Sequence, residues 1–282
     1  MTDNELGDYL RARRESLTPA DLGMPDDGRR RRVPGLRREE VAALAGISSE
    51  YYLRLEQGRE RHPSEQVLAG IARALRLGAS SEEFLYRIVR PLPDRGHEAR
   101  QPSGDPGRLG AFVESLAEPA FLHDRVLEII AANRQAAAIS PAFRVGVNII
   151  EAVFFDSELR RLYREPEEAT ARMISYLRAQ AATAPLDPRL PALVADLTAR
   201  SPRFSELWAR HDVEATSTGV NHLDHPVMGR VSLQFERLCV AGTDHPVVVI
   251  YHAEPGSEDA RRLEALLAGL DEPAAKLAEP AV

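Results

Sequence analysis

One segment of the chain has the residue types and spacing of two short helices joined at a fixed corner. It spans residues 36–58 and reads LRREEVAALAGISSEYYLRLEQG. Ala42 is small where the two helices must approach each other, and Gly46 allows the positive φ angle of a tight turn. Ile47 fills the corner, and Ser48 can cap the second helix through its hydroxyl. These residues predict a rigid corner that fixes the direction of the second helix.

The second helix of this corner carries polar side chains on its outward face. Tyr52 and Leu55 have the spacing of an inward apolar face. Hydroxyl, carboxylate and guanidinium groups on a short projecting helix can hydrogen-bond to base edges in the major groove of DNA. The alternative is an ordinary helical hairpin with a glycine turn and a solvated face. The residues predicted to read DNA are Ser48, Ser49, Glu50, Tyr51, Leu53 and Arg54.

A local excess of arginine surrounds the corner, although the whole chain is acidic. The chain carries a net charge of −7, whereas eleven arginines and six glutamates between Gly28 and Arg76 give that stretch +5. Guanidinium groups suit phosphate and minor-groove contacts. The alternatives are a solvated charge run and surface ion pairs, for example with Glu40. The arginines predicted to contact DNA around the second helix are Arg30, Arg31, Arg37, Arg38 and Arg59.

Two charged residues of the second helix have competing roles. Arg54 can pair with Glu50 one helical turn earlier, which would remove it from DNA. Glu56 is predicted to be structural, bonding to backbone or to Arg59, because a carboxylate that faces phosphates is costly. The sequence therefore leaves the partner of Arg54 open.

The elements that must position this corner are five short helices, predicted for a first domain at residues 1–90. Apolar residues recur there at helical spacing, and no strand pattern is present. Serines supply the start signals: Ser48 or Ser49 for the third helix, Ser64 for the fourth and Ser81 for the fifth. Residues 91–107 are rich in proline, glycine and polar residues and predict a linker.

A second domain at residues 108–270 has a mixed pattern. Strand-compatible runs lie at 120–123, 126–132, 213–220, 227–238 and 246–252, the second of them equally compatible with a helix. Helices are predicted near 148–155, 167–182, 189–200, 205–211 and 257–270. The predicted fold is therefore an all-α domain followed by an α+β domain, with a disordered tail at 271–282.

The corner resembles the helix-turn-helix of the Xre or lambda-repressor-like family. The residues that carry this resemblance are Ala42, Gly46, Ile47, Glu56 and Gly58. The basic insertion 28–35, with Tyr51-Tyr52 and 54–59, is similar to the MmyB-like transcriptional regulators of bacteria. The second domain resembles the same branch at, in chain order, 119–121, 133–136, 148–154, 204–213, 225–229 and 251–256.

This resemblance implies a PAS-like sensor domain, in which an antiparallel sheet is flanked by helices. It implies a pocket for a small apolar or fatty-acid-like ligand, and the sequence indicates no other cofactor. Ala132 stands where the family commonly has an aromatic residue, which would suit a larger or different ligand. The residues predicted to line the pocket are Phe121, Asn133, Phe154, Trp208 and His225.

Three of these pocket residues have simpler structural alternatives. Trp208, the sole tryptophan, can belong to the core. Asn133 follows an apolar run, so if buried it either caps the helix beginning near Arg134 or orients a ligand. His225, next to Pro226, shapes either a turn or a pocket wall.

Composition and the lack of several motifs limit the function classes. The chain has 282 residues, of which 44% are hydrophobic, and a single cysteine, Cys239, which permits neither an intrachain disulfide nor a thiolate zinc cage. No apolar run approaches the length of a membrane span, and the acidic start does not resemble a signal peptide. We therefore expect a cytoplasmic, nucleoid-associated protein that does not engage membranes.

No enzyme motif is present, so we expect neither catalysis nor a metal site. His222 and His225 lack the helical spacing of a zinc-binding pair. The expected partners are a double-stranded DNA operator, a small ligand and a second copy of the chain, because one short helix reads only a few base pairs. The alternatives are a ligand-free protein-docking second domain, or a metal hydrolase using His222 and His225.

Overall fold

The computed structural model describes residues 4–24, 35–90, 106–183, 187–240 and 246–270. The chain forms two compact units, which we call the helical unit (1–98 and 174–215) and the sheet unit (99–173 and 216–282). Segment 174–215 therefore groups with the N-terminal helices, although it lies far along the chain. The basic run Arg29–Arg32 and the predicted tail lie outside the described residues, as does the predicted linker except for residues 106 and 107.

Short helices and one sheet make up the described parts of the chain. The α-helices are α1 Glu5–Ser16, α2 Arg38–Ala45, α3 Ser49–Glu56, α4 Glu65–Ala74, α5 Ala79–Val89, α6 Pro106–Ser115, α7 Arg134–Ile139, α8 Ile149–Phe155, α9 Ser157–Leu162, α10 Pro166–Thr183, α11 Arg189–Arg200, α12 Pro202–Ala209 and α13 Glu258–Ala268. The strands are β1 Ala120–His123, β2 Ile129–Ala132, β3 Thr218–His225, β4 Gly229–Cys239 and β5 Val247–His252, and a 3-10 helix spans Ala20–Leu22. Within the described ranges, no helix is long and apolar enough to cross a membrane.

The helical unit contains the five helices predicted for the N-terminal region, α1 to α5. Their apolar faces meet in one core, in which Tyr9, Tyr52 and Leu55 are fully buried. Ala179 of α10 and Val213 pack in the same core. The segment 174–215 therefore contributes to the hydrophobic core of the N-terminal helices.

Serine caps start two of the helices as the sequence predicts. The hydroxyl of Ser48 accepts the Tyr51 backbone N–H at 3.1 Å, and Ser64 caps α4 in the same way. The prediction that Ser81 starts the fifth helix is wrong, because α5 begins at Ala79. Ser81 is buried inside α5, where its hydroxyl donates to the Val213 carbonyl at 3.2 Å. Its hydrogen bond is therefore tertiary rather than a cap.

The sheet unit is built on a five-stranded sheet in the order β2-β1-β5-β4-β3, with every neighbouring pair antiparallel. Phe121, Phe143 and Tyr251 form an aromatic cluster, with ring centroids 5.1 Å apart for the first two and 5.7 Å for the last two. The predicted α+β fold with an antiparallel sheet is thereby confirmed.

Two predicted strands differ most from the structure. The predicted strand at 213–220 is correct only for 218–220, because β3 spans Thr218–His225 and Val213 packs in the helical unit. The run 126–132 is a strand only from Ile129, because the Asp124 carboxylate accepts the Val126 and Glu128 backbone N–H groups, each at 3.0 Å, and forms a turn.

We expect His123, on β1, to make the sheet unit sensitive to acid. Burial lowers the pKa of its imidazole to about 4, because its side chain is only 1% exposed. An unfolded histidine titrates near pH 6.5, so unfolding takes up a proton between these values and stability falls as the pH drops. We expect His123→Gln to reduce the slope of the free energy of unfolding against pH by about 1.4 kcal/mol per pH unit. Urea unfolding across this range measures the slope.

The control for this prediction replaces the exposed His222 of β3 by glutamine and should leave more of the wild-type slope intact. An identical pH slope in wild type and His123→Gln would contradict the assignment of acid sensitivity to His123. The comparison uses the difference between proteins, because other groups also titrate in this range.

Candidate nucleic-acid interface and ligand cavity

The corner predicted from residues 36–58 is present between α2 and α3. Gly46 ends α2 in the left-handed region at φ 72°, which suits a residue without a side chain. The Ile47 backbone N–H donates to the Ala42 carbonyl at 3.0 Å, and Ile47 packs against the core. These contacts set the direction in which α3 leaves the turn.

The outward face of α3 is polar and accessible. Ser48, Ser49, Glu50 and Arg54 are exposed, and Tyr51 and Leu53 are half-buried. Tyr52 and Leu55 point into the core on the opposite side. The six residues predicted to read DNA thus lie together on the accessible side of α3 and its cap.

Arg54 does not pair with Glu50, which was one of its two predicted roles. Its guanidinium lies 3.4 Å from the Glu60 carboxylate and 5.5 Å from the centre of the Tyr51 ring. The side chain keeps about half of its surface exposed, at 47%. An exposed ion pair of this kind contributes little, on the order of 0 to 1 kcal/mol, so it is weak enough to be exchanged for another partner.

A buried ion-pair triad lies beneath α3, centred on Glu56, whose side chain is fully buried. One carboxylate oxygen accepts from Arg14 Nε at 2.6 Å and the other from Arg38 Nε at 2.6 Å. Arg14 is itself only 3% exposed and also donates to the Leu36 carbonyl. Glu56 therefore joins α1, α2 and α3, as its predicted structural role requires, but its partners are Arg14 and Arg38 rather than the backbone or Arg59.

The other predicted DNA-contacting arginines occupy different settings. Arg38 belongs to the triad but keeps 43% of its side chain exposed. Arg37 immediately precedes α2, where its backbone N–H donates to Glu40 at 2.7 Å. Arg59 is exposed just beyond α3. Arg30 and Arg31 lie outside the described residues.

The five residues predicted to line one pocket fall in two different units. Phe121, Asn133, Phe154 and His225 belong to the sheet unit, whereas Trp208 belongs to the helical unit. Phe121 lies in the aromatic cluster, and Phe154 is buried on α8. Sequence reasoning grouped them because it could not tell that segment 174–215 leaves the sheet.

Asn133 caps α7 and has no hydrogen-bonding group left for a ligand. Its side-chain oxygen accepts the backbone N–H of Ala120 at 3.0 Å and of Ala136 at 2.9 Å. Its amide nitrogen donates to the carbonyls of Val113, Leu116 and Glu118. The prediction that Asn133 orients a ligand is therefore wrong, and its alternative role as a cap is confirmed.

His225 shapes the turn between β3 and β4. Its Nδ1 accepts the backbone N–H groups of Val227 and Met228, and its Nε2 lies 3.0 Å from the Ala138 carbonyl. His225 is buried, whereas His222 is exposed on the opposite face of the strand, 2.9 Å from the Ser232 hydroxyl. The alternative of a His222–His225 metal pair fails, because side chains three positions apart on a strand point to opposite faces.

Trp208 lines a cavity of 370 Å³ within the helical unit. Its indole stacks on the Phe204 ring, with ring centroids 5.7 Å apart. The Arg178 guanidinium lies 3.9 Å from the centre of the indole. Arg178 also donates to the Trp208 carbonyl and to His211 Nδ1. The prediction that Trp208 faces a cavity agrees with its position, but the cavity is not in the sheet unit.

Four polar residues of this cavity were not predicted from the sequence. Glu5 and Asp8 come from α1, Arg178 from α10, and His211 follows α12. Burial lowers the pKa of Arg178 to about 10 and, together with the nearby Arg178 charge, that of His211 to about 4. No local pattern marks them, because they lie up to about two hundred positions apart. In the described ranges, no cluster of three or more potential metal ligands is present.

Two family models match the chain. The model of the MmyB-like transcription regulator ligand binding domain matches residues 107–267, and the model of a helix-turn-helix domain matches residues 5–84. The first match contains all five strands as well as segment 174–215, and the second contains the α2–α3 corner. No curated protein matches the chain.

Proposed function

The chain belongs to the MmyB-like transcription regulators, and we propose that it binds a promoter operator as a homodimer in the cytoplasm, at the nucleoid. A helix-turn-helix DNA-binding domain combined with an MmyB-like ligand-binding domain makes it a ligand-responsive transcription regulator. Both families are regulatory, so the proposal includes no catalytic step. We also propose that its ligand is apolar or fatty-acid-like, and this part of the proposal rests on the family resemblance.

The observation that carries the proposal is the accessible polar face of α3. This face projects from a corner fixed by Gly46 and by the buried Glu56 triad. A helix held in this way can enter the major groove with its N-terminal residues at base edges. The neighbouring arginines supply phosphate contacts, which position a protein without reading sequence.

Dimerisation follows from the small reach of one recognition helix. A helix of the length of α3 contacts only a few base pairs, whereas two copies spaced by one turn of DNA, about 34 Å, read two half-sites. We therefore propose an operator with two-fold symmetry. Sedimentation of the full chain with and without the selected DNA measures this stoichiometry.

Removing Arg54 should relax the sequence preference of the protein. If Arg54 reads a base edge, Arg54→Ala costs about 1 to 3 kcal/mol in operator binding and broadens the selected motif. Selection from a pool of random duplexes, followed by a binding titration on the best sequence, measures both effects. An Arg54→Ala protein that binds as tightly and as selectively as wild type would show that this face of α3 does not read DNA.

Removing Arg37 should act differently, because we assign it to phosphate. Arg37→Ala should weaken binding to selected and unrelated duplexes alike and reduce the slope of log affinity against log salt by about 1. The matched control is Arg87→Ala, which removes an arginine paired with Glu83 on α5, outside the corner. A sequence-selective loss in Arg37→Ala would reverse the assigned roles of Arg37 and Arg54.

A further inference from the structure

The cavity beside Trp208 lies between α1 of the DNA-binding region and helices of segment 174–215, all within the helical unit. At 370 Å³ it falls at the small end of the range for ligand pockets, about 300 to 1,000 Å³. Its apolar wall is continuous along α11 and reaches the indole. The apolar lining residues are Ala181, Leu190, Pro191, Val194, Ala195 and Trp208.

The positive charge in the cavity wall, on Arg178, is buried and partly engaged. Arg178 is 3% exposed, its guanidinium covers the Trp208 ring, and it donates to the Trp208 carbonyl and to His211. His211 is neutral at pH 7, because burial and the Arg178 charge lower the pKa of its imidazole to about 4. Arg178 Nε has no hydrogen-bond partner among the described residues, but the atom is buried and so is not exposed to an anion in the cavity. His211 carries no charge that would attract an anion.

The negative charge in the wall is more accessible. The carboxylates of Glu5 and Asp8 stand three positions apart on α1, which places them on one face of the helix. Both are only half-buried, and burial raises the pKa of Glu5. With Arg178 counted against them, the lining carries a net charge of −1. A cation placed beside two carboxylates would favour their ionised forms and so offset the effect of burial on Glu5.

We propose that this cavity is a regulatory binding site for a small amine with an apolar body. The ammonium would lie beside Glu5 and Asp8, and the apolar body would pack on the α11 wall and Trp208. This chemistry differs from that of a fatty-acid-like ligand, whose carboxylate would meet two like charges. The regulatory part of the proposal rests on the proposed DNA-binding function.

Helix α1 connects the cavity to the recognition helix. The same helix that carries Glu5 and Asp8 carries Arg14, which donates to Glu56 of α3 at 2.6 Å. Arg13 of α1 also pairs with Asp212 at 2.6 Å, next to His211. A ligand that shifts α1 against segment 174–215 therefore acts on the residue that holds α3. The size of the change in DNA affinity is set by how much more tightly the ligand binds one position of α1 than the other.

The test compares three probes of similar shape on the full chain at pH 7.5: 2-phenylethylamine, 3-phenylpropanoate and 2-phenylethanol. Calorimetry measures binding, and a titration on the selected duplex measures DNA affinity with and without the probe. We expect the amine to bind at least tenfold more tightly than the acid or the alcohol and to change DNA affinity at least threefold. Failure of DNA binding without any probe would count against the proposed function and not against the cavity.

Two kinds of variant assign binding to the cavity. Val194→Trp fills it, and Ala199→Trp places the same side chain at an exposed position of α11 outside it. The double variant Glu5→Gln with Asp8→Asn removes the charges at nearly constant volume, and Glu206→Gln is its exposed control. We expect Val194→Trp and the double variant each to weaken amine binding at least tenfold, and both controls to bind as wild type does.

The melting temperature of each variant separates loss of the site from loss of the fold. If Val194→Trp unfolds, the double variant Glu5→Gln with Asp8→Asn alone tests whether the amine binds in the cavity. The proposal is overturned if no probe binds, if the acid binds as tightly as the amine, if the double variant binds like wild type, or if bound amine leaves DNA affinity unchanged.

Discussion

Replacing Glu56 by alanine is expected to lower the free energy of unfolding by about 3 to 5 kcal/mol, the usual cost of leaving a buried charge without its partner. Arg14 is 3% exposed and loses the carboxylate that it contacts at 2.6 Å, keeping only the half-exposed Glu15 carboxylate at 3.1 Å and the Leu36 carbonyl. Arg38 loses the same partner but is 43% exposed, so water compensates for much of its loss. Because the triad joins three helices, we also expect specific DNA binding to be lost.

Urea unfolding of the full chain, with fluorescence and circular dichroism as probes, measures the loss. The matched control is Glu50→Ala, which removes an exposed carboxylate from the same helix and should change stability by less than about 0.5 kcal/mol. A loss of under 1 kcal/mol in Glu56→Ala would contradict the view that the triad holds the corner.

A double variant distinguishes the cost of breaking the pair from its net value. Arg14→Met with Glu56→Leu removes both buried charges, and replacing a buried ion pair by apolar residues is often neutral or stabilising. We expect the double variant to be more stable than Glu56→Ala alone, with its DNA affinity still reduced. This outcome would indicate that the ion pair serves the orientation of α3 more than stability.

Replacing Asn133 by alanine is expected to destabilise the sheet unit by roughly 3 kcal/mol, from the loss of a helix cap and an unsatisfied buried N–H group. The side chain makes five hydrogen bonds to backbone groups around α6, β1 and α7. The Ala120 N–H group, on a fully buried residue, has no water to replace the lost acceptor.

Ser257→Ala is the control for this prediction, because Ser257 caps α13 in the same unit with a single bond to the Ala260 N–H. It should cost about 1 kcal/mol, as a typical cap does. Comparable losses in the two variants would mean that the additional bonds of Asn133 contribute little. Since its amide is fully engaged, we expect the effect on folding to be independent of any ligand.

The sequence by itself determined the features that depend on neighbours along the chain. Gly46 at a positive φ, the Ser48 cap and the inward Tyr52 are properties of a few consecutive residues, and the structure has all of them. Most of the strands follow from β-branched runs in the same way, whereas their antiparallel arrangement was what the family resemblance implied. Local sterics and hydrogen bonding are enough to set such elements.

The tertiary structure alone decided which distant residues meet. Arg13 pairs with Asp212 across 199 positions, and Val213, predicted as strand, packs in the core of the helical unit. The partners of Glu56 come from two other helices, although the nearby Arg59 was the local expectation. Such contacts depend on how whole helices pack. Burying an apolar or ion-paired side chain against a complementary neighbour stabilises the fold whatever the distance between the two residues in the sequence. The position of Trp208 in a cavity with α1 follows from that packing and from no spacing in the chain.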